Sequence, residues 1–239
     1  MASKQSKTLF VDERLLALEK DSLYRSLKTV SANGPLATVD GKRAIHLCSN
    51  DYLGLSQDKR VLQAAANALR QVSQCSSRLI AGNDPIIMKL EGMLAKHRGT
   101  ESALVYPTGY AANLGAVTAL ADKNTTIFSD ELNHASIIDA CRLSGARVEV
   151  FRHNDMARLE SLAAKAAERK IVITEGIFSM DGDSADVGEI CRIAEKQDML
   201  TVVDDAHGDF IFGPKFAGVP AKFGSKIDVH ISSMSKGLG

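Results

Sequence analysis

The chain has 239 residues, 45% hydrophobic and 24% charged, which is the balance of an ordinary globular protein. Its 29 Lys and Arg equal its 29 Asp and Glu, so it lacks the basic footprint that nucleic-acid binding needs. No apolar run approaches the roughly 20 residues of a membrane span, and the opening Met-Ala-Ser-Lys-Gln-Ser-Lys has no apolar core behind its lysines, so it is not a secretory signal.

The first helix is predicted from Asp12 to Lys28, with Leu15, Leu16, Leu18, Leu23 and Leu27 as an apolar stripe. Asn33-Gly34-Pro35 breaks it. Leu36–Val39 and Ala44–Cys48, joined by Asp40-Gly41, predict a hairpin. Asp58 caps a helix to Val72, and Asp84-Pro85 opens another to His97. Beyond this point apolar, β-branched runs alternate with helical patterns. Strands are expected at Ala103–Tyr106, Thr126–Phe128, Val148–Phe151, Ile171–Thr174, Leu200–Val203 and Val229–Ser232. Helices are expected at Tyr110–Leu120, Ala135–Leu143, Met156–Arg169 and Val187–Gln197. That alternation predicts an α/β architecture, a mostly parallel sheet with helices on both faces. Four scattered cysteines, Cys48, Cys75, Cys141 and Cys191, have no CxxC pairing and no His at ligand spacing. They indicate neither a metal site nor a disulfide framework, and they read as free thiols of a cytoplasmic protein.

Ligands of such sheets bind beyond the carboxyl ends of the strands. Gly109-Tyr110 opens a helix whose N–H groups can hold an anion; the alternative is a plain turn. His134 can cap a helix or stack on a planar ligand. Glu175 to Asp183, including Ser179, forms a polar loop at another strand end. Asp204 closes a buried strand, where an acid is costly without a cationic partner, and His207 follows it. Ser233 and Lys236 follow the last strand; alone, each reads as an ordinary surface residue. Jointly the five strand ends offer the parts of a pyridoxal 5'-phosphate site: Lys236 for a Schiff base, Asp204 for the pyridine nitrogen, and His207 with Ser179 for the phenolic oxygen. Gly109, Tyr110 and Ser233 would serve the phosphate, and His134 the ring face.

Ser49-Asn50-Asp51-Tyr52-Leu53-Gly54-Leu55, Thr108 to Asn113, His134-Ala135-Ser136, His153-Asn154-Asp155, Glu175 to Asp183, Asp204-Asp205-Ala206-His207 and Lys236-Gly237-Leu238-Gly239 occur in that order. Together they closely resemble the α-oxoamine synthases, a family of fold-type-I pyridoxal-phosphate enzymes. The Glu175-Gly176 opening, Met180-Asp181-Gly182-Asp183 and Asp-Asp-Ala-His most resemble the branch that acts in biotin biosynthesis. The sequence departs from the family at Ser73-Gln74-Cys75-Ser76, at Ile87 and after His207, all expected near the acyl substrate.

The resemblance implies an N-terminal helix and small β segment over residues 1–48 and a cofactor-binding large domain over residues 49–239. It implies a decarboxylating condensation of an amino acid, L-alanine, with an acyl-CoA, pimeloyl-CoA. The catalytic residues would be Lys236, Asp204 and His207, with Asn50 and Arg25 as weaker candidates for the substrate carboxylate. Glycine C-acetyltransferase chemistry, an aminotransferase and a non-catalytic partner subunit are the alternatives. The complete protein would be a cytoplasmic homodimer with no nucleic-acid or membrane partner. The sequence ends three residues after Lys236, whereas the family continues with a further strand between Val229–Ser232 and Ala103–Tyr106 and a C-terminal small domain. The expectation is therefore an incomplete large domain, unstable and poorly active by itself.

Overall fold

The computed structural model describes residues 7–69, 75–166 and 169–239. It divides into two compact units, Met1–Ser49 and Asn50–Gly239.

In the first unit, α1 (Leu9–Lys20) is followed by a three-stranded antiparallel sheet, β1 (Val30–Asn33), β2 (Leu36–Val39) and β3 (Lys42–Ile45). The Asp40-Gly41 turn has φ of +47° and +79°. Two positive φ values make the twisted turn that suits a hairpin, and the register pairs Val39 with Lys42. Asn33-Gly34-Pro35 forms a second such reversal, since Asn33 pairs with Leu36. The helix stops eight residues before the expected Lys28. Asp21 closes it and Ser22 turns left-handed at φ +57°, so local side-chain chemistry outweighs the later leucines. Arg25 consequently lies outside any helix and is exposed.

The second unit opens with α2 (Lys59–Ala68) and α3 (Pro85–Arg98). Asp58 accepts the Arg60 N–H at 2.8 Å and Asp84 accepts the Ile86 N–H at 2.8 Å, so both helices start at their caps. The expected continuation of α2 to Val72, and Ser73-Gln74, lie outside the described residues. Gly99, at φ +70°, ends α3.

Ala103–Tyr106, expected as a strand, pairs with no other strand among the described residues. Side chains satisfy the backbone of Val105. Val105 N–H donates to Glu91 Oε1 at 2.7 Å, and Val105 C=O accepts from Arg78 Nη1 at 3.0 Å. The Arg78–Glu91 ion pair, at 2.7 Å, holds both partners in place.

The remaining chain alternates as the pattern requires: α4 (Gly109–Leu120), β4 (Thr125–Asp130), α5 (Ala135–Ser144), β5 (Arg147–Phe151), α6 (Met156–Ala163), β6 (Arg169–Glu175), α7 (Val187–Gln197), β7 (Met199–Asp204), α8 (Gly218–Lys222) and β8 (Val229–Ile231). Helix α6 ends before the expected Arg169 because that residue already pairs with Thr125 as the start of β6. The strands form one parallel sheet in the order β5-β4-β6-β7-β8. Successive residues point to opposite faces. Phe128, Val172 and Val203 pack with α6 and α7 residues Leu159, Ile190 and Ile193. Ile127, Ile173 and Val202 pack with α4 and α5 residues Val117, Ile137 and Ala140. Each face therefore has its own core, as a sheet covered on both sides demands. Among the described residues, no helix is long and apolar enough to cross a membrane.

Candidate functional site

The carboxyl ends of β6, β7 and β8 carry the chemistry. Asp204 is the last residue of β7, only 8% exposed, and stands in register with Glu175, the last residue of β6. Its Oδ2 accepts from Asn113 Nδ2 at 2.6 Å and its Oδ1 from the Ala206 N–H at 3.1 Å. Asn113 also donates to Ser136 Oγ at 3.0 Å, and Ser136 Oγ lies 2.7 Å from His134 Nδ1. One hydrogen-bonded chain thus runs from the strand end through α4 to the first turn of α5.

A second chain starts at Lys236. Its Nζ lies 2.7 Å from His207 Nε2, and His207 Nδ1 lies 2.6 Å from the Tyr52 hydroxyl. Tyr52 in turn donates to Asn50 Oδ1 at 3.2 Å. With Lys236 donating to Nε2, the neutral ring carries its proton on Nδ1, toward Tyr52. Burial, followed by the Lys236 charge, pushes the His207 pKa down to about 4, which favours that neutral ring. Burial also lowers the pKa of Lys236, against the pull of Asp204 and Glu175. A larger share of its amine is then unprotonated and able to act as a nucleophile or base.

The start of α4 is where the sequence reading expects an anion. Thr108 caps the helix by accepting the Ala111 N–H at 3.0 Å, and the N–H groups of the first turn have no intrahelical partner. Gly109 and Ser233 line one cavity of about 720 Å³ between residues 103–109, α4 and β8. A Cβ added at Gly109 would meet nothing within 4 Å, so space is open there. Ser233 Oγ is 2.8 Å from Ser235 Oγ. Tyr110 bonds Asp139 through its hydroxyl and meets His134 edge-on, with ring centroids 6.5 Å apart.

His134 caps α5, accepting the Ser136 N–H at 3.2 Å, and its ring stays exposed. Capping and stacking are therefore compatible rather than alternatives. Ser179 is exposed on the turn after buried Phe178. That turn is closed by Phe178 N–H to Asp183 C=O and by Gly182 N–H to Phe178 C=O, both at 2.9 Å. His153 ties it to the sheet: Nδ1 is 3.1 Å from Asp130 and Nε2 is 2.7 Å from Asp183.

The structure therefore links Lys236, His207 and Asn50 in one chain of short contacts, Asp204 and His134 in another, and sets Gly109 with Ser233 around one cavity. Ser179 enters through its loop. Arg25 belongs to the first unit and joins none of these contacts. Three residues escaped the sequence reading. Asn113 is the one amide in the otherwise apolar α4, and it is 1% exposed. Tyr52 sits in the Ser49–Leu55 stretch without an evident partner until the chain folds back to His207. Glu175 lies one residue beyond the expected strand.

A family model described as aminotransferase class I and II matches residues 42–239. The chain belongs to the aminotransferase class I and II family. It is 43% identical over 236 residues to an 8-amino-7-oxononanoate synthase of Anaeromyxobacter sp. (strain Fw109-5), covering 96% of this chain and 59% of that one. It is 42% identical to another from Thermoanaerobacter pseudethanolicus, covering 96% of this chain and 60% of that one. Among solved structures, a serine palmitoyltransferase of Sphingomonas wittichii superposes with a TM-score of 0.86 at 32% identity, over 100% of this chain and 62% of that one. A serine palmitoyltransferase from S. paucimobilis with bound PLP–myriocin gives a TM-score of 0.85 at 30% identity, over 96% of this chain and 62% of that one. This chain thus spans about three fifths of the length of these relatives.

Pyridoxal 5'-phosphate is the cofactor of this fold, and the residues present fit it. A partly desolvated lysine faces a buried carboxylate across the strand ends, and the open start of a helix lies at the far side. Asn113 Oδ1 is buried there without a hydrogen-bond partner among the described residues. Such orphaned polar atoms are costly in a finished core and common where a polar ligand belongs.

Proposed function

We propose that this chain serves a pyridoxal-phosphate-dependent acyltransferase that condenses L-alanine with pimeloyl-CoA, releasing carbon dioxide and giving an amino ketone. The observation that carries the reading is the Lys236–His207 contact at 2.7 Å beside the buried end of β7, where Asp204 stands. The names of the relatives at 42–43% identity support the alanine and pimeloyl branch.

When bound, the cofactor supplies an electron sink for the negative charge left as the amino acid loses its α-proton. The rest falls to this chain. Asp204, oriented by Asn113 and the Ala206 N–H, holds the pyridine nitrogen and favours its protonated form by its opposite charge. Ser179, and His207 in the tautomer that carries its proton on Nε2, would offer hydrogen bonds to the phenolic oxygen, and His134 would cover one face of the ring. The first-turn N–H groups at Gly109 and Tyr110, with Ser233, hold the phosphate. Lys236 Nζ would anchor the cofactor, and its freed amine is the base that would take the α-proton and return a proton to the product carbon. Its lowered pKa favours that basic role. Asn50, held through Tyr52 to His207, is placed for the amino acid's carboxylate. The working form is a homodimer.

A second reading, L-serine with a longer acyl-CoA, is favoured by the serine palmitoyltransferases that match the whole chain. The test is to supply the cofactor-loaded protein with each amino acid in deuterated water, with and without a panel of acyl-CoA thioesters. The proposal predicts α-deuterium exchange with L-alanine alone, and carbon dioxide release only when pimeloyl-CoA is added. Conversion of the cofactor to its amine form would instead mark an aminotransferase. Release with serine and palmitoyl-CoA alone would move the reading to the second branch.

A further inference from the structure

Glu175 is the group that the proposed chemistry leaves unused, and its position is unusual. It is 4% exposed, ends β6, and stands in register with Asp204 on the adjacent strand. The Gly176 N–H donates to the Asp204 C=O at 2.7 Å, locking the two strand ends together. The two acids are not equally served. Asp204 receives Asn113 Nδ2 and the Ala206 N–H on its two side-chain oxygens. Glu175 faces the backbone N–H groups of His134 and Ser179, while its Oε1 has no partner among the described residues. A buried carboxylate oxygen without a donor costs more than a buried hydroxyl without an acceptor, because the first leaves a charge that no dipole solvates. Two neighbouring buried carboxyls also disfavour double ionisation.

We propose that Glu175 is held as the neutral acid and is a positioning residue, leaving Asp204 the only negative charge opposite Lys236 and anchoring the backbones of His134 and Ser179 on one carboxyl group. This rests on the roles given above to Asp204, Lys236, His134 and Ser179. The groups facing Glu175 are Asp204 from β7, Lys236 from the segment after β8, the start of α5 at His134 and the turn at Ser179. Burial first, then the Asp204 charge, pushes its pKa up to about 7, with Lys236 and the two backbone donors opposing. Consequently it keeps its proton below that pH and loses it above. Ionisation would place a second negative charge beside Lys236, holding the ammonium form and slowing its work as a base. The same carboxyl ties the start of α5 at His134 to the turn at Ser179, so its length matters as well as its charge.

The test compares the full chain with its Glu175→Gln variant, an isostere of the neutral acid. Infrared difference spectra are recorded at about pH 6, below the proposed ionisation, with and without pyridoxal phosphate. The proposal predicts a protonated-carboxyl carbonyl band that Glu175→Gln removes. It also predicts pyridoxal-phosphate affinity within about threefold of the unsubstituted chain, as for a change that preserves shape and charge. Finally, a titration step in cofactor absorbance near the Glu175 pKa of about 7 should vanish in the variant. Absence of the band, or a variant that fails to fold or loses more than about tenfold in affinity, would overturn the proposal. The band is read in the cofactor-free protein too, so a failure of cofactor binding in both proteins sinks the functional reading without touching this one.

Discussion

Asp204 and Glu175 end adjacent buried strands at 8% and 4% exposure, and the sheet register sets them side by side. His134, Tyr110 and Ser179 instead sit on first turns and a loop at the rim of the site, and all three are exposed. The rim residues nevertheless carry capping or turn roles of their own: His134 caps α5 and Tyr110 bonds Asp139. The difference teaches that the floor is rigid because the core requires it, while the rim is held by short local bonds. Substitutions should therefore cost more chemistry at the floor, and more local order than chemistry at the rim.

Lys236→Ala should have the largest effect. It removes the attachment point and the base, so cofactor release on dialysis becomes complete and turnover falls by about 10²–10⁴-fold, read by absorbance and by product formation. Asp204→Asn comes next: losing the charge-assisted contact should weaken cofactor binding by about 10- to 100-fold, measured by fluorescence titration. Asn113→Ala strips Asp204 Oδ2 of its 2.6 Å donor and Ser136 of its 3.0 Å donor. A loss of about 1–3 kcal/mol in unfolding free energy is expected in denaturant titration.

At the rim, His134→Asn should keep the cap of α5, whereas His134→Ala loses it at a cost of about 1 kcal/mol. Both remove the ring. Equal losses of cofactor affinity in the two variants, with unequal stability, would separate stacking from capping. Were Asp204→Asn to cost no more affinity than His134→Asn, the contrast between floor and rim would fail.

The smallest effect concerns His153. Burial pulls its pKa down, but the hydrogen bonds that its ring donates to Asp183 and Asp130 outweigh that, and the net shift is upward. A pKa raised on folding gives stability that is fully present below the unfolded value and is lost as pH rises through the folded value. The turn carrying Ser179 should thus exchange its amide protons faster, beyond the intrinsic pH trend, as pH rises from the unfolded histidine value of about 6.5 through the raised folded one. In His153→Gln that excess should be absent.

Much of this arrangement was legible in the sequence because it is local or periodic. Asp40-Gly41 demands a turn with two positive φ values, and Val187–Gln197 is bounded by its Asp186 cap and by Asp198 in a left-handed conformation. The strand ends were legible because apolar runs stop abruptly at Glu175 and Asp204. Ala103–Tyr106 was expected beside a further strand rather than beside Val229–Ser232, and among the described residues it pairs with neither. In the structure Glu91 and Arg78 satisfy Val105 instead. Leu104 is correspondingly 70% exposed. Asn113 and Tyr52 were hidden for the converse reason. Each acts through a residue 91 or 155 positions away, and no spacing rule reaches that far.

The central claim is that Lys236 is the residue to which pyridoxal phosphate becomes attached. The direct measurement is to load the protein with the cofactor, reduce it with borohydride, digest it and map the modified peptide by mass spectrometry. The account predicts one stoichiometric modification, at Lys236, absent when the lysine is replaced. Modification at another lysine, or spread thinly over several, would contradict it.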